Sequence, residues 1–282
     1  MNRQAAVAGS WYPGTAGALT RDVDAYVAEV TDVPRGRIDA VIAPHAGLMF
    51  SGPVGAFSYR AAAVAGPYDV AILVGPSHFV GFDGVALYPS GAFETPLGPA
   101  IVDETVAADL LHASPVVQVL PSVHEREHSL EMQLPFLRRL LPETRIVPLL
   151  MGYQSRDTIE ALAAALTSLP ATARLLLVAS TDLSHYFEAR TALMLDARVR
   201  ECVGAFDAAR LLELFEQYPE GERGRYVACG GGPAISVMLA ARGRGARDAR
   251  IRKYAHSGEI SGDNSGVVGY LAAALGIFTD VH

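Results

Sequence analysis

Three histidines in this chain each follow a short apolar run. Val-Ile-Ala-Pro-His-Ala-Gly at 41–47 carries His45, and Val-Ala-Ile-Leu-Val-Gly-Pro-Ser-His at 70–78 carries His78. Leu-Leu-Leu-Val-Ala-Ser-Thr-Asp-Leu-Ser-His at 175–185 carries Asp182 and His185. Two histidines plus one further anionic ligand leave open positions on a metal, the arrangement in which non-haem Fe(II) takes up a substrate together with O2. Neutral imidazole is a borderline-soft ligand, so His45 and His78 suit zinc or copper as well. His185 has a side chain that titrates near neutral pH and is a candidate general acid or base, with Asp182 close enough to share its pocket.

Cys229 stands before Gly-Gly-Gly-Pro. Pro233 suits the first turn of a helix, and the positive end of that helix would favour a Cys229 thiolate, either as nucleophile or as metal ligand. A small buried residue beside a flexible turn is the other reading. The glycines lack the Lys and Ser/Thr of a phosphate loop. His128 and Glu131 stand at i and i+3 in Glu-His-Ser-Leu-Glu-Met-Gln. On a helix they would share one face and orient ligands or substrate, or else form a solvated first turn.

The elements that would position these groups follow from the same runs. Continuous apolar stretches without alternation are the signature of strands whose two faces are both covered by helices. In open α/β sheets ligands bind outside the carboxyl ends of such strands. Adjacent placement of the three runs would bring His45, His78, Asp182 and His185 together. Further strands are expected at 145–150, 251–255 and 267–271, and helices at 18–30, 54–65, 103–112, 156–169, 191–203, 207–217 and 233–241. Leu130, Leu134, Leu137 and Leu141 keep helical spacing, with Pro135 marking a kink or a restart. The Gly- and Pro-rich section 79–99 is long for a connection and is expected to form a lid or one wall of the pocket. Strand and helix alternate without a linker or repeat, which predicts one α/β domain over 1–282, with a mostly parallel central sheet flanked by helices.

Composition narrows the function classes. The chain has 282 residues, 50% hydrophobic and 19% charged, enough to bury a substantial core. A net charge of −7 argues against nucleic-acid binding, and the basic segment 242–253 reads as a solvated loop before a strand. No apolar run approaches the length of a membrane span, and residues 1–14 contain no secretory apolar stretch. With only two cysteines, Cys202 and Cys229, these features predict a cytoplasmic protein without a disulfide framework. His112, His124, His256 and His282 are assigned no role.

Ala-Gly-Ser-Trp-Tyr at 8–12, Ile-Ala-Pro-His-Ala-Gly at 42–47, Gly-Pro-Ser-His at 75–78, Glu-His-Ser-Leu-Glu-Met-Gln-Leu-Pro at 127–135, Ser-Thr-Asp-Leu-Ser-His at 180–185 and Cys-Gly-Gly-Gly-Pro at 229–233 resemble the Memo family. Bacterial members of that family are called AmmeMemoRadiSam system protein B. The resemblance runs from about residue 5 to 275. It implies a LigB-like fold, similar to the class III extradiol dioxygenases, with metal ligands at His45, His78 and Cys229. Cys229 stands where the dioxygenases have a glutamate, and its softer, oxidisable thiolate separates this site from a catechol-cleaving one.

By the same resemblance His185 is the acid/base, His128 a second pocket histidine, and Asp182 and Trp11 further pocket residues; the shared helix face with His128 adds Glu131 to the substrate pocket. The implied activity is an Fe(II)-dependent oxidoreduction of a small organic substrate by O2, with AMMECR1-like and radical-SAM proteins as possible companions. Two other readings remain: a metal-independent hydrolase using Cys229, His185 and Asp182, and a peptide- or partner-binding module with a vestigial pocket.

Overall fold

The computed structural model describes residues 2–279; Met1 and residues 280–282, including His282, lie outside them. Strand β1 (Asn2–Arg3) is followed by helix α1 (Ala16–Ala28), β2 (Gly36–Ala43), α2 (Leu48–Ala65) and β3 (Val70–Pro76). Then come β4 (Val85–Leu87), β5 (Ala92–Phe93), β6 (Ala100–Ile101), α3 (Glu104–Ala113), β7 (Val117–Val119), α4 (Leu134–Leu140), β8 (Arg145–Met151) and α5 (Arg156–Ser168). The last part holds β9 (Leu175–Ser180), β10 (His185–Phe187), α6 (Ala189–Gly204), α7 (Ala208–Glu216), α8 (Glu220–Tyr226), α9 (Gly231–Gly243), β11 (Asp248–His256), α10 (Gly258–Ser261) and β12 (Val267–Phe278).

Nine strands form one sheet in the order β10-β12-β2-β9-β3-β8-β4-β7, with β11 on the far edge of β12. Its centre, β2-β9-β3-β8, is parallel throughout, and every residue of β3 and β9 is buried. Antiparallel strands flank this centre, β12 against β2 and β4 against β8. The apolar runs do not alternate because both faces are covered. Val41, Leu73, Leu176 and Val178 pack toward α1, α2 and α4, whereas Ile42, Ile72, Leu177 and Ala179 pack toward α5, α7 and α9. The result is a single α/β unit. No helix among the described residues is long and apolar enough to cross a membrane, and Cys202 and Cys229 are free thiols.

Several expected boundaries shift for identifiable reasons. Helix α2 starts at Leu48, six residues before the expected start, because Pro53 is accommodated inside it, where its fixed φ suits the helix at the loss of one hydrogen bond. Section 79–99 is mostly not a lid. Val85–Leu87 pairs with β8, and Ala92–Phe93 lies between β1 and β6 in a separate three-stranded sheet. Before Pro135 the chain is two short 3-10 turns joined by irregular backbone, and the α-helix is confined to Leu134–Leu140, so Pro135 marks a restart. The basic segment is not a loop: Arg244 reaches back to the Leu169 carbonyl at 2.8 Å, and β11 already begins at Asp248.

The N-terminal segment is fastened to the middle of the chain by a buried ion pair. Arg3 donates to Glu131 Oε2 at 2.7 Å, to the His124 carbonyl at 2.6 Å and to the Glu127 carbonyl. His124 is buried, donates Nε2–H to the Ala86 carbonyl at 3.1 Å, and leaves Nδ1 without a protein partner among the described residues. Burial, reinforced by the Arg3 charge, lowers its pKa to about 3 from the ordinary histidine value near 6.5. The unfolded chain therefore binds a proton that the folded chain refuses between those two values. The stability contributed by neutral His124 is complete above pH 6.5 and is lost as pH falls toward 3. His124→Gln, which keeps a donor for Ala86, should reduce the slope of unfolding free energy against pH between pH 6 and 4 by about one proton. Denaturant titrations across that range test this; an unchanged slope would mean that His124 is protonated in the folded protein.

Candidate metal centre

The parallel centre of the sheet brings three strand ends together. β9 lies between β2 and β3, with Ala43 paired to Ser180 and Val74 to Ala179. His45 stands two residues beyond β2, His78 two beyond β3, and Asp182 two beyond β9. Cys229 reaches the same place from the turn before α9. Its Sγ lies 3.2 Å from His45 Nε2.

Hydrogen bonds on the far side of each ring fix which nitrogen faces the sulfur. Ser180 has one hydroxyl proton and gives it to the Ser129 carbonyl at 2.7 Å. It therefore accepts from Gln133 Nε2 at 2.8 Å and from His45 Nδ1 at 2.9 Å. His45 thus carries its proton on Nδ1 and turns the Nε2 lone pair toward Cys229. Burial, followed by the neighbouring His78, His128 and His185, holds its pKa well below the usual value, so the ring is neutral.

His78 is held by Glu127, which accepts its backbone N–H at 2.6 Å and its Nδ1–H at 2.9 Å. Burial opposes charge on His78, but hydrogen bonds to Cys229 and Glu127 outweigh it and push the pKa up to about 10 in the metal-free protein. The Nε2 proton shared with Cys229 is the one a metal ion would displace. Burial also works against a charge on Glu127. Its hydrogen bonds from His78, aided by the N–H of Ser129, nevertheless bring its pKa down to about 2.

Two side-chain groups among the described residues bring ligand atoms within 4.8 Å of one another: His45, His78 and Cys229, and separately His78, Glu127 and His128. The second is committed elsewhere, because Glu127 already accepts from His78 twice and from the N–H groups of His128 and Ser129. The first presents two imidazole nitrogens and a thiol whose sulfur also accepts the Asp182 N–H at 3.4 Å. Two nitrogens and a sulfur suit iron, zinc or copper, and the donor set alone does not distinguish them.

A cavity of about 540 Å³ opens over this group, lined by Trp11, His45, His78, His128, Asp182, His185 and Cys229 among others. Seven of the sequence-selected residues therefore share one space. Trp11 packs on His128 at 4.3 Å between ring centroids, and His128 stacks on His78 at 4.6 Å. Burial, with His78 adding to it, lowers the His128 pKa to about 4. Asp182 accepts the His45 N–H at 2.8 Å, and burial raises its pKa to about 7 against that bond. His185 Nδ1 is buried without a hydrogen-bond partner among the described residues, and burial lowers its pKa. Of section 79–99, Phe79 supplies part of the wall.

Glu131 does not line the cavity. It is fully buried beneath Trp11, where Arg3, the N–H groups of Ala6 and Val7, and the Tyr12 hydroxyl saturate its carboxylate. It holds the Trp11 turn in place rather than touching a ligand. Reading the sequence missed Glu127, Ser180, Gln133 and Gln154. Ser180 carries the same signal as His45, since it ends a buried strand. Glu127 stands directly before His128, but nothing in its neighbourhood announces a partner 49 positions away. Gln154 clamps the cysteine turn, donating to the Cys229 carbonyl and accepting the Gly232 N–H, both at 2.7 Å.

A family model described as Memo-like protein matches residues 3–274. The chain belongs to the Memo family. Curated relatives include a MEMO1 family protein of Methanopyrus kandleri, 34% identical over 96% of this chain and 98% of its own. MEMO1 family proteins of Thermotoga petrophila and Thermotoga maritima are 35% and 34% identical, each over 98% of this chain and all of their own length. Among solved structures, an uncharacterized protein of Escherichia coli K12 superposes with a TM-score of 0.61 at 15% identity, over 85% of this chain and all of that one. That likeness establishes the shared fold. In this Memo protein the motifs at 42–47, 75–78 and 180–185 lie at the strand ends, and those at 8–12, 127–135 and 229–233 lie in the segments packed around them.

Removing the carboxylate behind His78 should weaken metal binding without touching a ligand. Glu127→Ala is expected to lower metal affinity by about 10- to 100-fold, as for other carboxylates that orient a ligating histidine. Competition against a chromophoric chelator measures this, with circular dichroism as the check on folding. An unchanged affinity in a folded variant would remove Glu127 from the metal centre.

Proposed function

We propose that this Memo family protein is a non-haem Fe(II)-dependent oxidoreductase that acts with O2 on a small organic substrate. His45, His78 and Cys229 would hold the metal. The observation that carries this reading is the pair of Nδ1 anchors, Ser180 and Glu127, which leave both Nε2 atoms directed at the Cys229 sulfur. When bound, iron would relay electrons between the substrate and O2, chemistry that no side chain here supplies alone. Copper or zinc would fit the same donors, zinc without the redox step.

The remaining roles fall to the chain's own groups. His185, whose ring lines the cavity, is the group to take and return a proton of the substrate. Asp182 fixes the His45 backbone through its N–H, and His128 supports the His78 ring by stacking. Trp11 and Phe79 give the substrate apolar wall and exclude water. A metal-independent hydrolase would need hydrogen bonds running from Cys229 through His185 to Asp182. The sulfur instead faces His45, and the Asp182 carboxylate is engaged by the His45 N–H.

Elemental analysis of protein purified anaerobically, beside Cys229→Ala and His45→Ala, tests the proposal. Near-stoichiometric iron in the parent and its loss in both variants is the expected result, followed by oxygen uptake with the right substrate. Stoichiometric zinc would remove the redox half of the reading. Absence of metal, or metal indifferent to both substitutions, would leave the pocket to partner binding.

A further inference from the structure

The cavity over the metal ligands has a charge pattern that its histidines do not explain. Its walls include Trp11, Phe79, Tyr186 and Val268, and its only Lys or Arg side chain is Arg225, from α8. Arg225 is exposed, which places it at the rim. Its guanidinium lies 4.9 Å from the centre of the Phe187 ring and 5.7 Å from that of Tyr226. Among the described residues it has no carboxylate or carbonyl partner.

An exposed arginine is ordinarily just solvated. Two features set this one apart. The two rings restrict its planar head while leaving the N–H edges free, so less side-chain freedom is lost when those edges engage a ligand. It also stands at the opening of the space in a chain whose net charge is −7, the one Lys or Arg among the lining residues, and there its charge favours a negative group at the rim. A single guanidinium matches a single carboxylate in both charge and fork geometry.

We infer that Arg225 selects the substrate: a small organic carboxylate whose apolar body lies against Trp11 and Phe79 and whose carboxylate engages Arg225 at the rim. This rests on reading the cavity as a substrate site, and it adds the chemical class of the molecule that enters. Tyr186 belongs to the same rim. It is 71% exposed and adopts φ 62°, an uncommon conformation for a bulky residue that holds its side chain beside the opening.

Trp11 is the only tryptophan of the chain and lines the cavity, so its fluorescence reports occupancy directly. The test titrates 3-phenylpropionate and its neutral amide, 3-phenylpropanamide, into metal-free protein, which removes direct carboxylate–metal ligation as a source of preference. The parent should bind the carboxylate about ten-fold more tightly than the amide. Arg225→Gln should abolish that preference while leaving amide binding unchanged, and Arg225→Lys should retain part of it. Arg126→Gln, which removes a charge stacked on Phe79 from outside the cavity, should leave the preference intact.

Equal binding of acid and amide by the parent, no binding of either, or a preference that survives Arg225→Gln would each overturn the inference. Metal content measured on the same preparations keeps the two readings apart. A preference that appears only in metal-loaded protein and ignores Arg225 would make the metal the anion's partner, removing the role of Arg225 while leaving the metal centre in place.

Discussion

Because β2, β9 and β3 run parallel and side by side, their carboxyl ends lie on one edge of the sheet, and everything at the candidate centre depends on that alignment. An antiparallel neighbour in place of β9 would carry Ser180 and Asp182 to the opposite edge. His45 would then lose both the hydroxyl that fixes its tautomer and the carboxylate that holds its backbone. Parallel pairing requires long crossovers, and the helices in those crossovers cover both faces of the sheet. The wide spacing of the candidate ligands 45, 78 and 229 thus follows from the architecture. Closing such long loops adds little entropic cost beyond short ones, because that cost grows only with the logarithm of length.

Alignment alone would bury several polar groups in a nearly water-free edge, which is unfavourable unless each finds a partner. The chain meets this requirement with relays rather than isolated pairs. Tyr59 donates to Gln133 at 2.9 Å, Gln133 donates to Ser180, and Ser180 orients His45. Arg3 neutralises Glu131, and Glu131 gathers the N-terminal segment that presents Trp11. Asp196, fully buried, accepts the Ser184 N–H at 3.0 Å and the Tyr254 hydroxyl at 2.7 Å. That loop is also bonded to Gly269 in both directions, and a Cβ on Gly269 would stand 1.9 Å from the Asp196 carboxylate. Glycine is required there for the loop bearing Asp182 and His185 to keep its place.

The His-bearing strands were legible because a strand buried on both faces has no polar alternation to blur it, and Pro or Gly marks its end. The Memo motifs at 42–47, 75–78 and 180–185 were legible for the same reason, lying at those ends. Glu131 was misplaced because the i, i+3 argument assumes a helix. The backbone from Glu125 to Leu130 is instead irregular, and its side chains point where tertiary bonds pull them. Glu127 and Gln154 were missed because their partners lie 49 and 75 positions away, across crossovers that carry no local pattern. The part of the sheet beyond β8 was equally opaque: β4 and β7 have three residues each, too few to show a period.

The glycines after Cys229 illustrate how a motif can be recognised and its physical purpose still be misjudged. Read as a sequence, Gly230–Gly232 is a flexible turn that lacks the Lys and Ser/Thr of a phosphate loop, and it carries no further purpose. In the fold these positions are consumed by packing. A Cβ on Gly230 would meet the Ser180 carbonyl at 2.4 Å, and one on Gly231 would meet the Phe215 ring at 2.3 Å. The N–H of Gly230 is taken by Thr181 and that of Gly232 by Gln154, so neither points at an anion. What the missing side chains permit is close approach: α9 begins directly against the end of β9, and Pro233 follows within its first turn. Any larger residue at Gly230 would push the turn away from the sheet and carry the Cys229 sulfur out of reach of the His45 ring. The triple glycine therefore belongs to the candidate metal centre in the sense that matters physically, since it sets the sulfur's distance from the two imidazoles.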